Sequence, residues 1–504
     1  MSTDEVLLGI DIGTSSSKGV LVDATGTIVA RASRAHETST PHPGWFEHDA
    51  ETVWWDDFRY LTRELTAASG ASVAGLAVSG IGPVLLPADA DGTPLRPAIL
   101  YGVDTRASTE IEELTAELGA DAILRRGGTP LSSQAVGPKL RWLARNEPRV
   151  WERTELLLMA SSYLVHRLTG EYVLDHHSAS QCDPMYDLAG RDWDAEFAAR
   201  VAPGLALPRL AWPSEVVGNV SARAASETGL PQGIPVTAGT VDAWAESVSV
   251  GVASPGDTMV MYGTTMFLIN VLTAPRPHPG LWTTCGAMPD TYSLAAGMAT
   301  SGSITDWLRR LVGGEFGELV AEAAEVPAGS RGLLLLPYFA GERTPIFDAD
   351  ARGVIAGLSL GHGRAELYRA ALEGIAYGVR HNLETMRDAG GIASRLVAVG
   401  GGTQGGLWTQ IVSDVTNAVQ EVPSETVGAC FGDAMLAATA IGLDVDARAW
   451  NPVTTTVAPD PGRVTAYDEY YRRYLDLYPA TSDISHFLAD QQHLDDRDPG
   501  GPGG

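Results

Sequence analysis

The sequence predicts an α/β protein made of two domains of similar plan. Three observations carry that expectation. At 504 residues the chain exceeds what one hydrophobic core serves. Apolar runs rich in Val, Ile and Leu alternate with stretches of helical periodicity along most of its length. A strand, a Gly-Thr turn and a second strand occur twice, at about residues 6–30 and 257–272, each time ahead of such an alternation.

Taken in order, VLLGIDIGTSSSKGVLVDATGTIVAR reads as strands over 6–12 and 19–33, with ATG turning a further hairpin. AETVWWDDFRYLTRELTAAS, residues 50–69, is a helix, and ASVAGLAVSG is a buried strand. GTPLRPAILY is a turn leading into a strand, STEIEELTAELG is an amphipathic helix, and 135–168 is mostly helical. IPVTAGT is a short strand from which VDAWAESVSVGV opens a helix.

A second cycle follows. GDTMVMYGTTMFLINVL is strand, turn and strand; TYSLAAGMA is a strand and SITDWLRRLV a helix. RGLLLLPYF is a buried strand, and RAELYRAALEGIAYGVRHNLETMRDAG is a long helix stopped by glycine. RLVAVGGG and LWTQIVSDVTNA repeat strand and helix, and CFGDAMLAATAIGL is a helix of small residues suited to close packing. A boundary near 246–256 divides the chain into domains 1–247 and 248–460, followed by a helix over 461–483. From about 484 the composition, ending in ADQQHLDDRDPGGPGG, predicts a disordered tail.

The net charge of −27 disfavours nucleic acid and anionic membrane as partners. It also means that a phosphate ligand must be held by local groups or arrive with a metal. The three cysteines, Cys182, Cys285 and Cys430, are far apart and suit neither a disulfide framework nor a zinc cluster, as in a reducing cytosol. The start, MSTDEVLL, lacks the basic opening of a signal peptide, and no stretch nears the roughly 18 apolar residues of a membrane span. A cytoplasmic protein acting on a small molecule is expected. Basic residues number 35, yet only Lys18 and Lys139 are lysine. Lys18 lies inside the opening turn, where a compact ammonium suits phosphate.

Four segments carry chemistry. In DIGTSSSKG, a tight turn lined by Gly, Thr and Ser offers N–H groups and hydroxyls to phosphate oxygens, and Asp11 ends the strand where a carboxylate can hold Mg²⁺ through water. A plain Ser-rich hairpin would look the same, but YGTTMF supplies a second such turn. In VAVGGGTQGG, Gly400, Gly402 and Gly405 match the dinucleotide fingerprint, with an acid at Glu421, which raises an NAD-dependent oxidoreductase as a competing reading. A glycine strip beneath an adenosine accounts for this segment and both turns together. In TAGTVDAWAES, Asp242 stands where strand passes into helix, as either an N-cap or a general base for phosphoryl transfer.

DIGTSSSKG, GTVDA, YGTT, LPYFAGERTPIFDADARGVIAGL and GGGTQGGLWTQIVSDV, in this order, resemble the FGGY carbohydrate kinases over about residues 5–445. GWFEHDAETVWW and PLRPAILYGVDTRA resemble the xylulokinase-like branch. The resemblance implies two ribonuclease H-like (actin-like ATPase) domains flanking a deep cleft, sugar bound mainly by the first and ATP by the second. It implies ATP-dependent phosphorylation of a terminal hydroxyl of a small linear ketose or polyol, with Asp242 as catalytic base. Asp11 and Asp242 would serve Mg²⁺. Thr14, Ser15, Ser16, Lys18, Gly263 and Thr264 would meet nucleotide phosphates. Gly401, Gly402 and Thr403 would lie along the adenosine, and Gly302 and Thr305 would border the nucleotide. Asp104 and Arg106 would touch the sugar, with Ile81 and Gly82 beside it.

The chain departs from the family at Ile81-Gly82-Pro83, where xylulokinases carry polar sugar-binding residues. That puts D-xylulose itself in doubt, unless Glu47 or Tyr101 compensates. Trp45, Trp55 and Trp244 could stack on a sugar or simply fill the core. A non-catalytic sugar sensor stays open as a further reading, as does a homodimer.

Overall fold

The structure is a computed structural model and describes residues 5–497. Two compact units interleave along the chain. The first is Met1–Pro255 with Val271–Leu294 and Val427–Pro452; the second is Gly256–Asn270 with Ala295–Thr426 and Val453–Gly504.

The first unit is built on a seven-stranded sheet. Its order is Val216–Asn219, Pro235–Thr237, Ser72–Gly80, Glu5–Ile12, Ser16–Val22 and Ile28–Ala35, with the short strand Thr240–Val241 also paired to Ser72–Gly80. The Glu5–Ile12 strand is antiparallel to Ser16–Val22, whereas Glu5–Ile12 and Thr240–Val241 are both parallel to Ser72–Gly80. Leu7, Leu8, Ile10 and Ile12 are fully buried, as a strand covered on both faces requires. Helix Asp56–Ser69 ends at Gly70 in the left-handed conformation, which terminates the helix predicted over 50–69.

Helix Ala429–Ala440, which falls within the 248–460 domain expected from the sequence, clusters with this unit. The cause is its small-residue surface. A Cβ on Gly9 would lie 1.9 Å from the Cys430 carbonyl oxygen, and one on Gly432 would lie 1.8 Å from that of Ala245. Glycine at both points lets this helix lie directly on the first strand and on helix Asp242–Ser249.

The second unit contains, as neighbours in its sheet, strands Met266–Leu272, Asp257–Tyr262, Arg395–Val399, Gln420–Pro423 and Val453–Val457. Helix Arg364–Asp388 is its longest predicted helix and carries a buried ion pair, Arg369 to Glu373 at 2.8 Å, which Tyr467 joins from the C-terminal helix. That C-terminal helix runs over Pro461–Arg497, so the residues from 484 to 497 are helical rather than a disordered tail. Tyr467, Tyr471, Tyr474 and Ala489 are buried along it. The last seven positions of the predicted tail lie outside the described residues.

Candidate functional site

Three strand ends converge in the first unit. Asp11 is opposite Ser79 on one side, and Thr240 is opposite Ser79 on the other, both in parallel register. The carboxyl ends of parallel strands are where α/β sheets hold ligands. Ser79 Oγ lies 3.2 Å from Asp11 Oδ1 and 2.7 Å from Asp433 Oδ2. Two residues beyond Thr240, Asp242 is the first residue of helix Asp242–Ser249, where the backbone N–H of Ala243 donates to its Oδ1 at 2.7 Å. The N-cap is Val241, so Asp242 does not serve as the cap.

These carboxyls disfavour one another's ionisation. Burial, then the Asp11 charge, holds Asp242 well above the ordinary carboxylate range. Burial lifts Asp11 to about 6 against the opposing pull of Lys18, Ser79 and His36. Burial and then Asp11 lift Glu246 to about 7, and burial lifts Asp433 well above the ordinary range. Such a group favours a bound cation. Among the described residues, however, no three acid, His or Cys side chains stand close enough to hold a metal by themselves. A divalent cation here would therefore complete its shell with water and ligand oxygens.

Beside Asp11 lies the turn at 13–16. Its four carbonyls are all occupied from within the protein. The Gly13 carbonyl faces His36 Nε2 at 3.1 Å, and that of Thr14 accepts from Thr38 Oγ1 at 3.0 Å. The Ser15 carbonyl accepts from the His36 backbone N–H at 3.0 Å, and that of Ser16 from the Gly13 N–H at 3.1 Å. In a trans peptide the C=O and the following N–H point in opposite directions. Holding the carbonyls inward thus turns the N–H groups of Thr14 and Ser15 outward, and among the described residues neither has a hydrogen-bond partner. Successive outward N–H groups of this kind are the feature from which anion-binding concavities are built. Ser15 and Lys18 are exposed and Ser16 half-buried. Lys18 stands directly across from Asp11. The hydroxyls are less available than the sequence suggested: Thr14 Oγ1 pairs with Tyr101 Oη at 3.1 Å, and Ser17 Oγ donates to Asp57 at 2.6 Å.

The turn in the second unit has the same arrangement by different means. The Gly263 carbonyl accepts from the Gly302 N–H at 3.0 Å, and the Thr264 carbonyl from the N–H groups of Ser301 and Ser303, each at 3.1 Å. The donors open helix Gly302–Val312. A Cβ on Gly302 would sit 2.6 Å from the Gly263 oxygen. Gly302 and Thr305 therefore support the turn: the Thr305 hydroxyl, predicted to border a nucleotide, donates to the Gly302 carbonyl at 2.7 Å.

Strand Arg395–Val399 leads into a short helical turn at Gly401–Thr403. Gly400 has φ 92°, and a Cβ on Gly402 would meet the Trp408 ring at 2.7 Å, while Gly401 has open space where a Cβ would go. The Thr403 hydroxyl donates to the Gly400 carbonyl at 2.8 Å.

The residues predicted to meet the sugar are differently placed. Asp104 and Arg106 are buried and spent on each other at 2.7 Å; Asp104 also accepts from the Phe46 N–H, and Arg106 pairs with Glu47 and packs over Trp45 and Trp142. They form an internal clamp, with Glu47 part of it. Ile81 is 2% exposed and belongs to the core. A Cβ on Gly82 would meet Val241 at 2.6 Å, so Gly82 allows close approach to the strand that presents Asp242. Trp55 and Trp244 are also core, the latter stacked on His177 with ring centroids 3.6 Å apart.

Ser79, Glu246, Asp433, His36 and Thr38 are the residues that sequence reasoning passed over. Only Ser79 left a signal, as a hydroxyl ending the buried strand LAVSG.

Models of the N-terminal and C-terminal domains of the FGGY family of carbohydrate kinases match residues 6–249 and 258–441. A xylulose kinase of Escherichia coli K12 is 31% identical over 488 residues, covering 94% of this chain and 99% of its own. A glycerol kinase of Nocardia farcinica is 33% identical over 461 residues, covering 86% and 89%. The crystal structure of xylulose kinase from Rhodospirillum rubrum superposes with a TM-score of 0.90 at 35% identity, covering 95% of this chain and all of that one. The chain belongs to the FGGY family of carbohydrate kinases: its fold is the two-domain fold of that family and its activity is ATP-dependent phosphorylation of a sugar. The oxidoreductase and sensor readings find no support. Among the described residues no helix is long and apolar enough to cross a membrane.

Proposed function

We propose that this FGGY carbohydrate kinase transfers the γ-phosphoryl group of ATP to a terminal hydroxyl of a small linear ketose or polyol, xylulose-like in size, in cytoplasmic carbohydrate catabolism. The observation that carries the reading is the meeting of Asp11 and Asp242 at neighbouring strand ends beside a turn whose N–H groups face outward. Asp242 orients the sugar hydroxyl and accepts its proton as the phosphoryl group moves; a carboxylate serves, because a loose transition state releases that proton late. The mutually disfavoured carboxyls fit a divalent cation, with Asp11 and Asp242 as its protein contacts. Mg²⁺ would there offset phosphate charge. Thr14, Ser15 and Lys18, and separately Gly263 and Thr264, cradle phosphate oxygens. Gly401, Gly402 and Thr403 provide a surface without bulk for the adenosine.

The relatives named xylulose kinase support a pentulose-sized acceptor, and the glycerol kinase relative supports testing shorter polyols. The test is ADP release with Mg-ATP across D- and L-xylulose, D- and L-ribulose, L-fuculose, glycerol, erythritol, xylitol, D-arabinitol and gluconate. Asp242→Asn runs beside each. One strong acceptor is expected, with turnover falling roughly 10²- to 10⁴-fold in the variant while ATP still binds. Turnover near wild type in Asp242→Asn removes it as the base.

A further inference from the structure

His36 stands behind the first phosphate turn, and its ring is defined on both sides. Nδ1 lies 2.7 Å from Asp57 Oδ2 and Nε2 lies 3.1 Å from the Gly13 carbonyl. Both partners are acceptors, and a neutral imidazole has only one N–H. Satisfying both requires the doubly protonated ring. The neighbouring histidine is the opposite case. The Trp54 indole N–H donates to His48 Nδ1 at 3.1 Å, which leaves Nε2 as the donor toward Thr38 Oγ1 at 3.0 Å, and Thr38 in turn donates to the Thr14 carbonyl. Burial, then the His36 charge, holds His48 down at about 4, in keeping with a neutral ring. The two rings meet edge to face with centroids 5.1 Å apart.

We propose that His36, held as an imidazolium between Asp57 and the Gly13 carbonyl, is a positioning residue for nucleotide binding, fixing the Gly13–Thr14 peptide with its N–H outward and placing a buried positive charge behind the phosphate. This rests on the kinase reading of the turn. The surroundings suit the assignment. The His36 side chain is 6% exposed and that of Asp57 2%. Asp57 is anchored by Ser17 and by Arg34 Nε at 3.1 Å, so it holds the ring rigidly. The other charged groups facing the ring's surroundings are Asp11, which His36 helps to keep ionised, and Lys18 beyond it. A charge-assisted hydrogen bond to the Gly13 carbonyl is stronger than a neutral one, and it acts on the peptide whose N–H meets the ligand.

The test needs no knowledge of the sugar. Imidazole ¹⁵N shifts, assigned by difference from His36→Gln, should show both His36 nitrogens protonated at pH 7.5 in the wild-type protein. Calorimetric titration with Mg-ATP, without sugar, should show affinity falling roughly ten- to hundredfold in His36→Gln, the range of one hydrogen bond to a charged group. Asp57→Asn, which removes the counter-charge and keeps the shape, should lose one of the two ring protons and weaken Mg-ATP in the same direction. It also serves if His36→Gln fails to fold. A singly protonated His36, or unchanged Mg-ATP affinity in a folded variant, overturns the proposal. Failure of wild-type protein to bind Mg-ATP at all, with the ring doubly protonated, instead overturns the nucleotide-binding role of the turn.

Discussion

Replacing Gly302 by alanine should displace the Gly263-Thr264 turn, proposed above to cradle phosphate, without unfolding the protein. The φ of Gly302 is not positive, so its backbone accepts alanine. The space does not: the new Cβ would lie 2.6 Å from the Gly263 oxygen and 3.5 Å from the Thr264 Cα. Ordinary contact begins near 3.4 Å, so helix start and turn must separate by about 0.8 Å, the difference between those two distances. The obstacle is backbone, which no side-chain rotation relieves. Overpacking of this kind costs about 1–3 kcal/mol, and exchanging glycine for alanine at a helix start returns part of it. The larger effect falls on function, because a shift near 1 Å in a positioning element costs about 10²-fold. At saturating sugar, kcat/KM for Mg-ATP should fall ten- to hundredfold, while the thermal midpoint moves by only a few degrees. Gly317→Ala is the control. It lies inside helix Phe316–Ala324 with nothing within 4 Å of its Cβ position, so it should gain about 0.5–1 kcal/mol and leave kinetics alone. A folded Gly302→Ala enzyme within twofold of wild type would refute the view that this helix start sets the turn.

Asp175 is a buried carboxyl whose Oδ2 has no partner, although Oδ1 accepts from the Ser178 N–H and the Thr240 hydroxyl. Burial lifts it from 3.8 to about 6, so folding favours its protonated form. The resulting destabilisation is absent below about pH 4 and complete above pH 6, of order 3 kcal/mol. Asp175→Asn should therefore gain in thermal midpoint relative to wild type as pH rises from 4 to 7, and a difference that stays flat or shrinks contradicts the assignment. Arg106→Met should lower stability by about 3–5 kcal/mol in denaturant melts, since it strands the buried Asp104 carboxylate. If Arg106 instead touches sugar directly, the variant will melt like wild type and lose only sugar affinity.

The sequence made the strands, the long helices and both turns legible because each is a local pattern: an apolar run, a helical period, a Gly-Thr step. It also placed Asp11 and Asp242, since each closes a strand with an acid. It could not show how the first turn works. GTSSSK reads as a row of hydroxyls for phosphate, whereas the hydroxyls of Thr14 and Ser17 are bound by Tyr101 and Asp57. The N–H groups are turned outward by His36 and Thr38, some twenty residues away and with no spacing rule to mark them. The sugar-side residues are ambiguous for a related reason. Charged side chains at a strand end suggest a ligand, but Asp104 and Arg106 satisfy each other in the core, and nothing in their spacing distinguishes the two cases. Helix Ala429–Ala440 was legible as a close-packing helix, yet the partner that its glycine contact selects lies over 400 residues upstream, at Gly9.

The two Gly-Thr turns have their carbonyls held by different materials, and this determines what each tolerates. In the first, the His36 ring and the Thr38 hydroxyl hold the Gly13 and Thr14 carbonyls, while backbone N–H groups of His36 and Gly13 hold those of Ser15 and Ser16, so the two peptides with outward N–H groups depend on ring and hydroxyl chemistry at His36 and Thr38. The second is held by backbone N–H groups of a helix start, so almost any side chain at 301 and 303 keeps the donors, and only the missing Cβ at 302 is indispensable. The first turn is consequently open to chemical tuning by substitution, and the second is open only to steric disruption. Nucleotide affinity should thus vary in graded steps with replacements at 36 and 38, and should change at 302 as a single loss whatever residue replaces glycine.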